Sequence, residues 1–224
     1  MTGETSLQSL VDGAVVLSTE QQAHVARLLG QRSWQFDALR STLTFSGQGL
    51  EPIVARAHFV GSAAPGPATW LWAWQNLNGY PEATIALAER VRQVGEQYGV
   101  DELTRAEIPL DPTLPERLVL AAAYLTGVYP HWSGPVAGGT RALLLMEHPL
   151  FVLPAPTRAS ALGSVGDALA SGLVVDHRHA VASYARVRGV TTHEVAPDVL
   201  QLALADGPGW VRFDHLGRVV ALDG

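Results

Sequence analysis

Between Thr69 and Asn76 the chain reads Trp70-Leu71-Trp72-Ala73-Trp74-Gln75, which places three of its six tryptophans at every second position. In a β-strand alternate side chains share a face, so Trp70, Trp72 and Trp74 would form one aromatic stripe backed by Leu71, Ala73 and Gln75. In a helix only Trp70 and Trp74 would align. The strand is the reading that uses all three. Such a stripe is either the centre of a core or a platform on which a planar or sugar-like ligand stacks. In a core each indole N–H needs an acceptor, and Gln75, Asn76 and backbone carbonyls are at hand. On a platform Asn76, Asn78 and Tyr80 would supply the polar rim.

The surrounding periodicity fits an α+β fold, an antiparallel sheet covered by helices. Residues 5–29 read as a helix stopped at Gly30, although Gly13 weakens it and Ser18 could cap a second helix instead. The period then changes to two: Gln35 to Phe45, Ile53 to Val60 and Thr69 to Gln75 are strand candidates joined by short Gly- and Pro-rich connections, which favour antiparallel neighbours. Residues 81–98 read as an amphipathic helix that Gly99 ends. Leu103 to Leu110 reads as a strand, Pro112 to Thr126 as a helix, and 129–148 as a hairpin. The three prolines of Pro149 to Pro156 mark a boundary between a first unit, 1–150, and an extension, 157–224. That extension reads as helices over 158–171 and 177–188, then a three-stranded meander: Val199 to Ala205, Trp210 to Asp214 and Arg218 to Leu222.

Composition excludes more than it assigns. The chain holds no lysine and no cysteine, which removes Schiff bases, a P-loop lysine, disulfides, thiolate catalysis and cysteine-held metals. A net charge of −6 argues against nucleic acid, whose phosphates call for a basic surface. The uncharged stretches 57–81 and 118–140 reach membrane-spanning length, but their prolines and glycines make neither a span. The amino terminus lacks the pattern of a signal peptide. A cytoplasmic protein without a cofactor is expected, and low surface charge is compatible with a homodimer.

The run from Trp34 to Leu103 resembles an uncharacterised bacterial family, common in actinobacteria, known as DUF6882. The matching pieces are Trp34-Gln35-Phe36-Asp37, Leu43-Thr44-Phe45, Val60-Gly61-Ser62, Thr69 through Asn76, Ala88-Glu89-Arg90-Val91-Arg92 with Gly95-Glu96, and Glu102-Leu103-Thr104. The likeness extends over roughly residues 5–148. It implies an architecture and a bacterial origin, and no reaction.

Three groups of residues carry candidate chemistry. The first is the stripe with Asn76. In the second, Arg56 and His58 share one strand face, where they could hold an anion or simply meet solvent. The third is His131 with Glu147 and His148, which flank the hairpin; a Glu–His pair can do acid–base work, since the carboxylate orients the imidazole. Asp176-His177-Arg178-His179 has an H-x-H spacing, but as a helix start capped by Asp176 it points its two rings apart, and no metal site is expected. There is no G-x-S-x-G elbow, G-x-G-x-x-G, Walker loop or H-E-x-x-H. The leading expectation is a non-enzymatic ligand-binding or interaction module, ahead of a small hydrolase using His131, Glu147 or His148. A third reading is a structural protein that self-associates through the uncharged 118–140 region.

Overall fold

In the computed structural model, which describes residues 5–224, the first helix is the axis of the molecule. This helix, α1 (Leu7–Leu29), is unbroken and buried along most of its length. Gly13 does not interrupt it and makes room for the Tyr124 ring, from which a Cβ there would sit 2.6 Å. A helix enclosed on several sides must bond every polar group it carries. Accordingly Asp12 accepts from the amides of Val175 (2.8 Å) and Asp176 (3.1 Å), and Gln21 donates to Phe151 O. Gln22 bonds both backbone groups of His131.

On one side of α1 lies a seven-stranded antiparallel sheet: β1 (Ser33–Asp37), β2 (Thr42–Gly47), β3 (Leu50–Ala64), β4 (Thr69–Trp72), β5 (Glu107–Pro109), β6 (His131–Pro135) and β7 (Arg141–Glu147). The long β3 is its spine. One edge of β3 pairs with β2 and then β4, the other with β7, which in turn pairs with β6. The helices α2 (Glu82–Tyr98) and α4 (Leu114–Thr126), with the short α3 (Asp101–Thr104), close this layer against α1. The sheet curls until the Trp34 ring on β1 lies over Gly134 on β6, where a Cβ would fall 2.2 Å from the indole. Inside the curl Leu43, Phe45, Ala55, Ala57, Leu144 and Met146 form a second core, which Val25, Leu29 and Phe151 plug.

Beyond α1 the helices α5 (Arg158–Ala170) and α6 (His177–Val187) pack on a four-stranded meander: β8 (Thr192–Ala196), β9 (Val199–Leu204), β10 (Gly207–Phe213) and β11 (Val219–Asp223). One continuous hydrophobic core runs from the first sheet through α1 to Tyr184, Leu202, Val211 and Phe213. The extension after the prolines is therefore joined to the first unit through α1.

Several expectations change in detail. The Gln35–Phe45 run is two strands, because Asp37 accepts from the amides of Leu39 and Arg40 and turns the chain. The 103–110 run begins as the end of α3 and becomes a strand only at Glu107. The meander has four strands rather than three; β8 escapes a hydrophobicity reading because its Thr192-His193-Glu194 carries no apolar residue. Within the uncharged 118–140 region, Leu118 to Ala123 lie in the core at 2% exposure or less, so that part of it offers no surface for self-association. No helix among the described residues is long and apolar enough to cross a membrane.

Candidate functional site

The tryptophan stripe is shorter than its spacing implies. Trp70 and Trp72 lie on β4 with no exposed surface, edge to face at 5.4 Å. The strand then ends, and Ala73–Gln75 form a single 3-10 turn. Trp74 therefore leaves the strand face and packs under Arg92 of α2, whose guanidinium stands 5.2 Å from the ring centroid. Asn76 serves its own loop. It takes a left-handed conformation (φ 48°), accepts from Tyr80 N at 2.6 Å and donates to Tyr80 O, which ties off the loop. Trp72 satisfies its indole on Glu102 O at 2.9 Å. With both strand tryptophans fully buried, no aromatic face here is open to a ligand.

Arg56 and His58 do share a face of β3, and an anion does lie there, but it belongs to the protein. Glu147, directly across from Arg56 on β7, places Oε2 3.0 Å from His58 Nε2 and 4.0 Å from Arg56 Nε. His58 is 2% exposed, and its Nδ1 has no partner. This contact separates Glu147 from His131. Strand β7 lies between β3 and β6, and Glu147 reaches toward β3 while His131 stands on β6 opposite Leu145. His148 accepts from Leu150 N and packs against Phe151, and with Glu147 it lines a cavity of about 240 Å³ whose walls do not include His131. The hairpin does not assemble the His131–Glu147–His148 group.

What His131 meets instead is a pair of residues that sequence reasoning missed. The ring is buried where β6 runs between α1 and α4. Its Nε2 faces Glu116 Oε1 at 3.6 Å, and its Nδ1 faces Tyr129 O at 3.1 Å and Ser18 Oγ at 3.5 Å. Ser18, His131 and Glu116 line a cavity of about 220 Å³ with Thr19 and Leu120. The His131 ring holds the Glu116 carboxyl below the usual carboxylate range, its hydrogen bond and charge outweighing burial, with Arg141 adding to the effect. A serine, a histidine and a glutamate in a row invite comparison with an acyl-transfer triad. The acceptors decide otherwise. A bare Nδ1 lone pair 3.1 Å from a carbonyl oxygen would be repelled, so Nδ1 carries the proton and donates to Tyr129 O. That nitrogen cannot then take a proton from Ser18, whose hydroxyl sits mid-helix and 2% exposed.

All of these residues lie inside the stretch 8–149, which matches a family of unknown function, DUF6882. The chain belongs to this family. No curated protein and no solved structure is significantly similar to it. The family match stops at the proline-rich segment, so the DUF6882 domain comprises α1 through β7, while α5, α6 and the four-stranded meander lie outside it. Among the described residues no three His, Asp or Glu side chains converge as a metal site. His177 and His179 open α6, with Asp176 accepting from His179 N as its cap. His177 instead accepts from Val219 N, and His179 Nε2 meets Ser9 O at 3.2 Å.

Proposed function

We propose that this DUF6882 protein is a cytoplasmic binding module without chemistry of its own, and that its family domain takes a small polar ligand in the cavity at Glu116 and His131. The observation that carries this reading is the state of the cavity walls. His131 Nδ1 is bonded to Tyr129 O and cannot take the Ser18 proton, whereas the half-exposed Glu116 carboxylate stays ionised and keeps acceptor capacity toward the space. Thr19 donates to Val15 O, which leaves its oxygen as a further acceptor. The wall is thus rich in acceptors and suits a ligand bearing an amine or another donor. At about 220 Å³ the space admits only a handful of heavy atoms.

A hydrolase is the second reading, favoured by the alignment of Ser18, His131 and Glu116; it requires the opposite tautomer of His131. Ethanolamine and acetate are suitable probes, followed by the amide resonances around the cavity. Ethanolamine is expected to shift the signals of Ser18, Glu116 and His131, acetate to leave them in place, and Glu116→Gln to weaken the amine by about tenfold, about 1.4 kcal/mol. Absence of any shift with the amine, or hydrolysis of p-nitrophenyl acetate at a rate that Ser18→Ala abolishes, would overturn the proposal.

A further inference from the structure

The larger opening lies outside the family domain, in a cleft of about 530 Å³ between α6 and the inner face of the meander. Its floor is apolar, with Leu200 and Phe213 packed on or within the core beneath. Its walls carry charges of both signs: Asp176 and Arg178 from α6, Glu194 from β8. Glu194 stands directly across from Leu200, on the face of the sheet that elsewhere packs inward. It stands exposed at the rim of that face, so its charge stays hydrated above the apolar floor.

Among the described residues, no ion pair joins Arg178 to Glu194 or Asp176. The two charges at the start of α6 are instead held where they stand. Arg178 stacks on the Phe213 ring at 4.2 Å and donates to Pro197 O at 2.8 Å. Asp176 is held by its cap bond to His179 N, while Glu194 stands on the paired strand β8 at the exposed rim. Charges of both signs thus stand around an apolar floor, unpaired with one another among the described residues. A ligand with separated charges and an apolar body complements that arrangement.

We infer that the cleft between α6 and β8 binds an apolar zwitterion of the α-amino acid class. The amine lies toward Glu194 and Asp176, the carboxylate meets the unused guanidinium N–H groups of Arg178, and the side chain lies on Leu200 and Phe213. The site shares no residue with the Glu116 cavity, so either can fail without the other.

Titration calorimetry of the full chain with L-phenylalanine, phenethylamine and 3-phenylpropionate tests the inference, with the amides of Thr192 to Glu194 followed by NMR to locate binding. L-phenylalanine is expected to bind and to move those amides. The two analogues, each lacking one charge, should bind at least about tenfold more weakly. Glu194→Gln, an exposed position that leaves the fold intact, should bring L-phenylalanine down to the level of 3-phenylpropionate. No binding of L-phenylalanine, equal binding of all three compounds, or shifts confined to residues outside the cleft would each overturn it.

Discussion

Replacing Arg188 with alanine is expected to remove about 3–5 kcal/mol of folding stability, a large part of the roughly 5–15 kcal/mol that holds a typical domain together. Arg188 follows α6 and places Nε 2.9 Å from Glu20 Oε2 on α1, with the two side chains only 12% and 7% exposed. The contact is an ion pair rather than an aligned hydrogen bond, since Arg188 Nε has no partner of good geometry. Tyr184 completes the group by donating to the same carboxylate oxygen at 3.0 Å, and burial together with Glu20 pushes its phenol far above the usual range. Truncating Arg188 leaves the Glu20 charge in the core with only a phenol beside it. The loss arises from that stranded charge more than from the attraction given up. The double variant Glu20→Leu with Arg188→Met should therefore recover at least half of it. Urea unfolding of the two variants checks both statements, and a double variant no more stable than Arg188→Ala would show that the stranded charge is not the cause.

Trp72→Ala should be of similar size, about 3–5 kcal/mol, because a fully buried indole leaves a cavity the surroundings cannot close. Trp72 packs edge to face on Trp70 and bonds Glu102 O, so it fastens β4 to the start of α3. Trp72→Phe should lose less, chiefly the bond to that carbonyl, which is worth about 1 kcal/mol. Trp74→Phe, at a site already 9% exposed and covered by a surface arginine, should lose less again. The order Trp72→Ala, Trp72→Phe, Trp74→Phe in urea midpoint is the expected outcome. Equal losses at positions 72 and 74 would favour a single continuous stripe.

That ordering also shows where periodicity reached its limit. The alternation from Thr69 to Gln75 is uniform in sequence, and it correctly puts Trp70 and Trp72 on one buried face. What ends the strand at Trp72 is a loop whose closure depends on Asn76 in a left-handed conformation bonding Tyr80 at both backbone groups. Nothing in the tryptophan spacing encodes that. The helix over 81–98, the capping role of Asp176 and the hairpin at 129–148 were legible because each rests on local rules of turns, caps and period. The partner of His131 was not. Glu147 is its nearest acid along the hairpin, but sheet order puts β7 between β3 and β6, so Glu147 turns to His58. Glu116 stands in the first turn of α4, where an acid suits the helix dipole without any partner on β6. Its approach to His131 is long-range packing, as is the arrival of Ser18 from α1. A polar residue recurring in the middle of a strongly apolar helix was the available signal: Ser18, Glu20, Gln21 and Gln22 of α1 each meet a distant element.

Binding without catalysis at the His131 cavity depends on which ring nitrogen carries the proton, and nitrogen-15 NMR of the imidazole reports this directly. The predicted spectrum shows a protonated Nδ1, donating to Tyr129 O and unable to accept from Ser18. An Nε2-protonated ring with a bare Nδ1 would contradict it, because Glu116 would then orient the imidazole toward the Ser18 hydroxyl as a base.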